Sequence, residues 1–220
     1  QLVAQYPQHD AGSAGAAVAA LAPGEKFGVA GGRVFCPLPF ATNYAAQATR
    51  TVPFTHPDSV KLQVLAKFLT PNYLHREIRE RNGAYGGGAA YAAQQGVFSF
   101  FSYRDPSPLQ TIGTFARSID WFLAHTVEDR ELREAKLSVF GDLDAPLSVA
   151  DEGMAYFTTG ITDDVRQERR DRFFAVSAAD LKDVAQKYLA APAAAEQTAL
   201  AVIGEEGLDM TGEWKRVQLQ

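Results

Sequence analysis

Residues 74–91 read LHREIRERNGAYGGGAAY. Charged, helix-like text runs into Asn82-Gly83, and three consecutive glycines follow between Tyr85 and Tyr91. Leu74 and Ile78 are four apart and share one helix face, and Asn-Gly is a good C-terminal stop. The text beyond it, AYGGGAAYAA, reads as a strand. This stretch therefore turns a helix back onto a sheet, and the rest of the chain has to fit around that turn.

Upstream, Val60, Val64, Leu65, Phe68 and Leu69 recur at helical spacing, so the helical segment covers His56–Asn82. Thr70-Pro71 interrupts it, and Pro71 suits the first position of a second helix capped by Thr70. Before it, RVFCPLPF and NYAAQATRTVPF suit strands, punctuated by Pro37, Pro39 and Pro53. Downstream, Gln94-Gln95-Gly96 connects the glycine-rich strand to GVFSFFSY as a hairpin. That second run is apolar enough to be central in a sheet rather than at its edge.

Helices then dominate. Leu109, Ile112, Phe115, Ile119 and Phe122 mark one over 107–125. Thr126-Val-Glu-Asp129 opens the next over 127–143, and Ser148–Asp151 and Ser177–Asp180 are two more capping-type starts. The chain closes with an apolar strand, Ala199–Ile203, and an edge strand in Trp214–Leu219. The order strands, helix, hairpin, helices, strand predicts an α+β fold, a largely antiparallel sheet with helices packed mainly on one face. Residues 1–26, low in complexity through AGSAGAAVAALAPG, read as a linker or the end of a preceding segment, and 27–220 as one domain.

Composition excludes several classes. The 220 residues carry 21 Lys+Arg against 26 Asp+Glu, a net charge of −5, which argues against nucleic acid and anionic membranes as partners. No apolar run approaches a membrane span. Cys36 is the single cysteine, so no internal disulfide forms, and its apolar surroundings suit a small buried hydrophobe. With no signal-like N-terminus, the expected compartment is the cytoplasm. A chain opening on Gln rather than Met reads as part of something longer.

The chemical motifs are mostly missing. His9, His56, His75 and His125 provide no pair at the spacing that puts two ligands on one helix face. Neither H-E-x-x-H nor H-x-x-E-H occurs, nor a phosphate loop, nor a nucleophile elbow. The expectation is a chain with no catalytic residue and no metal site of its own. Gly86-Gly87-Gly88 follows a helix instead of opening one, so close sheet packing is its favoured reading. His75 and Arg79 share a helix face, and strand alternation points Tyr85, Gly87, Ala89 and Tyr91 one way. A helix-terminal Arg and a Tyr could meet there over a bare glycine surface. Both donate hydrogen bonds to carbonyls or carboxylates, though a snorkelling Arg and an ordinary sheet Tyr fit the same text.

LHREIRERNGAYGGGA, GVFSFFSYRDP and EAKLSVFGDLDAP together resemble the C-terminal part of presequence proteases, in the pitrilysin/insulinase-type zinc metallopeptidases. The resemblance runs from about Asn43 to Leu189 and is weak at both ends. It implies a mitochondrial processing peptidase-like metallohydrolase fold, one of four related α+β domains arranged in two halves around a peptide. In such enzymes the N-terminal half carries the inverted motif and the zinc. The C-terminal half is degenerate but holds substrate, through an Arg at a helix end and a Tyr on the next strand. Here those positions are Arg79 and Tyr85, with His75 matching a substrate-facing His. The implied partners are a peptide substrate and the N-terminal catalytic half of the same parent chain. The alternatives are a stand-alone peptide-binding module and a structural scaffold subunit.

Overall fold

The computed structural model describes residues 32–39, 41–149, 151–190, 197–210 and 212–218. The linker expected over 1–26 lies outside them. The described residues form six strands and six helices. They are β1 (Arg33–Leu38), β2 (Asn43–Arg50), α1 (Asp58–Leu69), β3 (Gly86–Ala92), β4 (Val97–Asp105), α2 (Pro108–Ala124), α3 (Asp129–Leu143), α4 (Met154–Thr159), α5 (Asp163–Ala175), α6 (Ala178–Val184), β5 (Thr198–Glu205) and β6 (Lys215–Arg216). One sheet runs β3-β4-β2-β5-β1-β6. β3–β4, β4–β2 and β2–β5 are antiparallel, while β1 pairs parallel with β5 and with β6. The α+β expectation and the β3–β4 hairpin are both realised.

The two faces of the sheet differ. Phe98 and Phe100 on β4, Ala45 on β2, Val202 on β5 and Phe35 on β1 are buried beneath the helices. α1 packs on α3 and β3, and α2 packs on β2 and β4. Phe100 stacks on Phe115 of α2, and Phe68 of α1 meets Phe122 edge to face. The opposite face leaves Tyr44, Phe101, Tyr103 and Ile203 between 37% and 39% exposed. Each buried ring removes a large apolar surface from water and so helps hold the helices on the sheet.

Two details depart from the sequence reading. α1 does not restart at Pro71. It continues through widened π-helical turns, Thr70–Leu74 and Arg76–Arg81, and the His75 N–H donates to the Thr70 carbonyl five residues back. Proline has no N–H to give, and the wider turn carries the helix past it. Thr70 is also no cap. Its hydroxyl donates to the Ala66 carbonyl at 3.0 Å and accepts from the Ala89 N–H at 3.0 Å, which ties α1 to the edge strand β3. The second departure is at α3. Its capping box belongs to Glu128 with Glu131, not to Thr126; Ser148–Asp151 likewise caps no helix, since α4 starts at Met154 behind Gly153, whereas Ser177 and Asp180 do form the expected box on α6.

Cys36 is buried and unpaired, as a small hydrophobe would be. No described helix is long and apolar enough to cross a membrane.

Candidate substrate-contact site

The C-terminal turns of α1 carry three arginines and two glutamates. Glu77 accepts from Arg81 at 2.8 Å and from Arg76 at 3.2 Å. That leaves Arg79 exposed, with no side-chain hydrogen bond or ion pair among the described residues. The helix ends at Gly83, whose φ of 74° is left-handed and whose N–H donates to the Arg79 carbonyl at 3.1 Å.

Tyr85 stands just ahead of β3 and escapes the alternation expected of it. Gly87, Ala89 and Tyr91 pair with Ser102, Phe100 and Phe98, on the helix-covered side. Tyr85 instead is 64% exposed. Its ring lies 5.7 Å from the Tyr103 ring, centroid to centroid, and 5.4 Å beneath the Arg104 guanidinium. Its N–H donates to the Arg104 carbonyl at 3.2 Å, and its hydroxyl makes no hydrogen bond among the described residues.

The glycine triplet is a packing device, not a bare surface. Tyr103 covers Gly86, Ile78 presses on Gly87, and Thr70 presses on Gly88. His75 is half-buried one turn before Arg79. It lines a groove of about 520 Å³ with Thr70, Ala89 and Phe101 on one side and Glu131 and Glu134 of α3 on the other. Phe101 and Tyr103 are two apart on β4, so the same uncovered stripe runs from the His75 groove to Tyr85. No hydrogen bond joins Arg79 to Tyr85 or His75. The stripe itself escaped the sequence reading. FSFFSY shows aromatics at both parities, and nothing local says which parity the helices will cover.

Among the described residues, no group of three or more His, Cys, Asp or Glu could hold a metal ion. These residues do not fit a zinc ion.

A family model for the PreP C-terminal domain matches residues 35–205. The chain belongs to that family. It is 42% identical over 190 residues to the mitochondrial presequence protease of Schizosaccharomyces pombe, covering 86% of this chain and 19% of that protein. It is 49% identical over 152 residues to the Saccharomyces cerevisiae mitochondrial presequence protease, covering 69% of this chain and 15% of that protein. The chain thus spans less than a fifth of the curated relatives it matches. Among solved structures, a protease from Helicobacter pylori superposes with a TM-score of 0.64 at 18% identity, over 79% of this chain and 44% of that one. A peptidase M16 inactive domain from Pseudomonas fluorescens gives 0.60 at 16%, over 81% and 45%. These two share the fold of a peptidase-like domain. The cytoplasmic expectation is overturned, because the relatives are named as mitochondrial proteins. Its basis was an N-terminus that says nothing about a parent chain.

Proposed function

We propose that this chain is the substrate-holding, catalytically inactive domain of a zinc metalloendopeptidase that degrades peptides. The zinc, the attacking water and the general base belong to the catalytic half of the parent enzyme, and the peptide lies between the two. The parent acts in mitochondria, as the names of its relatives suggest. Arg79 donates to a peptide carbonyl near the scissile bond, Tyr85 adds its phenolic hydroxyl, and His75 contacts the peptide along the groove beside α3. Placed donors of this kind orient the substrate and favour the negative oxygen that develops during attack.

The observation that carries this reading is the state of Arg79. Glu77 satisfies Arg76 and Arg81, and Arg79 between them keeps its donors exposed and unspent. A fork of donors in that state suits recognition of carbonyl or carboxylate oxygens. The exposed, unbonded hydroxyl of Tyr85 supports the same reading.

The test uses the full-length enzyme that carries this domain. Arg79→Ala should lower kcat/KM on a fluorogenic peptide by roughly ten- to a hundredfold, the loss expected for one charged donor. Tyr85→Phe should cost less, because the ring stays. A wild-type kcat/KM together with a lowered thermal midpoint in Arg79→Ala would assign the residue to packing and end the proposal.

A further inference from the structure

The uncovered side of β4 contains a backbone irregularity that the substrate-contact reading does not use. β2 and β4 pair Tyr44 with Tyr103 and Asn43 with Asp105, so Arg104 is an extra residue with no partner opposite. Its φ is 50°, the one positive value among the described non-glycine residues. This is a β-bulge with its extra residue in the left-handed region.

The bulge changes which way two side chains point. Ser102 is buried on the helix side and Tyr103 lies on the uncovered side. Plain alternation would send residue 104 under the helices and residue 105 into the open. The reverse occurs. Asp105 is 1% exposed, and its carboxylate accepts from the Ser102 hydroxyl at 2.6 Å and from the Ser107 N–H at 2.8 Å. Its carbonyl accepts from Asn43 Nδ2 at 3.0 Å. Arg104 is exposed and holds Tyr85 twice, with its guanidinium 5.4 Å over the ring and its carbonyl on the Tyr85 N–H at 3.2 Å.

A bulge needed only to end the strand would favour Gly or Asn at this φ, since either adopts it at less strain. An Arg bears that strain, and its guanidinium has no hydrogen bond or ion pair among the described residues besides the contact with Tyr85. We infer that Arg104 is a positioning residue: the bulge aims its guanidinium onto the Tyr85 ring, which it clamps against Tyr103 so that the phenolic hydroxyl is presented to bound peptide. This rests on the substrate-contact role given to Tyr85 above.

The experiment compares Arg104→Gly, Arg104→Asn, Tyr85→Ala, the double variant Arg104→Gly/Tyr85→Ala, and Arg79→Ala, all in the full-length enzyme. The readouts are kcat and KM on a fluorogenic peptide, and thermal unfolding. Gly and Asn both suit the backbone, so they remove the guanidinium without breaking the bulge. An exposed cation–ring contact translates into a loss of about fivefold in kcat, with KM and thermal midpoint near wild type. The double variant should lose no more than Tyr85→Ala alone, because Arg104 acts through that ring. Wild-type kcat in Arg104→Gly and Arg104→Asn, with turnover lost in Arg79→Ala, would overturn this inference and leave the peptide-holding reading standing. Losses that multiply in the double variant would overturn it too, as would a fallen thermal midpoint in both bulge variants. If Arg79→Ala and Tyr85→Ala also keep wild-type turnover, the peptide-holding reading falls and this inference falls with it.

Discussion

Gly87 lies so close to Ile78 that a Cβ on the glycine would sit 2.9 Å from Ile78 Cγ2 and 2.7 Å from the Phe101 carbonyl oxygen. The helix end that carries Arg79 therefore rests directly on the backbone of β3. Gly87→Ala should destabilise the protein by about 1–3 kcal/mol, the usual cost of overpacking, because a backbone oxygen cannot step aside. Gly141 in the last turn of α3 has nothing within 4 Å of its would-be Cβ. Gly141→Ala should stabilise by up to about 1 kcal/mol through helix propensity. Chemical denaturation of both variants checks the pair, and equal effects would contradict the close approach.

Asp58 opens α1 and gathers three partners. Lys187 donates at 3.0 Å, Tyr188 at 2.8 Å, and Lys61 forms an ion pair at 3.1 Å. Burial works to raise the carboxyl, but the hydrogen bonds from Lys187, Tyr188 and Lys61 outweigh it and hold the group at about 2, below its ordinary 3.8. The folded state therefore binds this proton less readily than the unfolded chain. The stabilisation is present above the unfolded value and is lost as pH falls from about 4 toward 2. It amounts to on the order of 2 kcal/mol at neutral pH. Asp58→Asn should lower stability at pH 7 by up to that amount and flatten the acid limb, read by denaturant midpoints across this window.

Arg169 on α5 is 6% exposed and has no carboxylate partner among the described residues. It donates to the Phe54 carbonyl at 3.0 Å, the Ser59 hydroxyl at 2.7 Å and Gln63 Oε1 at 2.8 Å, with its guanidinium 4.3 Å over the Phe54 ring. Burial pulls the group down to about 10, so it stays charged at neutral pH. Arg169→Ala opens a cavity and strands three acceptors. It should cost about 2–5 kcal/mol in thermal or urea unfolding. A change within experimental error would show that α5 is not tied to the start of α1 through this side chain.

The isolated chain should bind zinc at well below one ion per molecule and cleave no peptide. The motivation is the lack of any suitable ligand group among the described residues. Metal analysis of chelator-washed protein and a fluorogenic peptide assay check it. One tightly bound zinc per chain, or chelator-sensitive turnover, would contradict it.

Much of the architecture was legible along the chain because its causes are local. Phe115, Ile119 and Phe122 show their shared face by helical spacing, and all three are buried. Ser177 and Asp180 announce α6 three residues apart, because a capping box closes within one turn. Asn82-Gly83 stops α1 where the left-handed glycine allows it. Of the site, sequence reading proposed Arg79, Tyr85 and His75. It did not find Tyr103 or Arg104, which meet Tyr85 only through the hairpin.

By itself, then, the sequence determined most helices, most strands and the hairpin, all set by interactions between residues a few positions apart. Only the tertiary structure decided that β5 enters between β2 and β1 and runs parallel to β1, a pairing of Phe35 with Val202 across more than half the chain. Such pairings depend on which edges remain free once the helices have packed, and no local pattern records that. The bulge at Arg104 has the same origin. Its φ is set by the register of β2 against β4 and by the anchors on Asp105. An arginine in a β-rich run gives no sign by itself that its side chain will be turned onto Tyr85, because that direction comes from a count of residues on two strands and not from one.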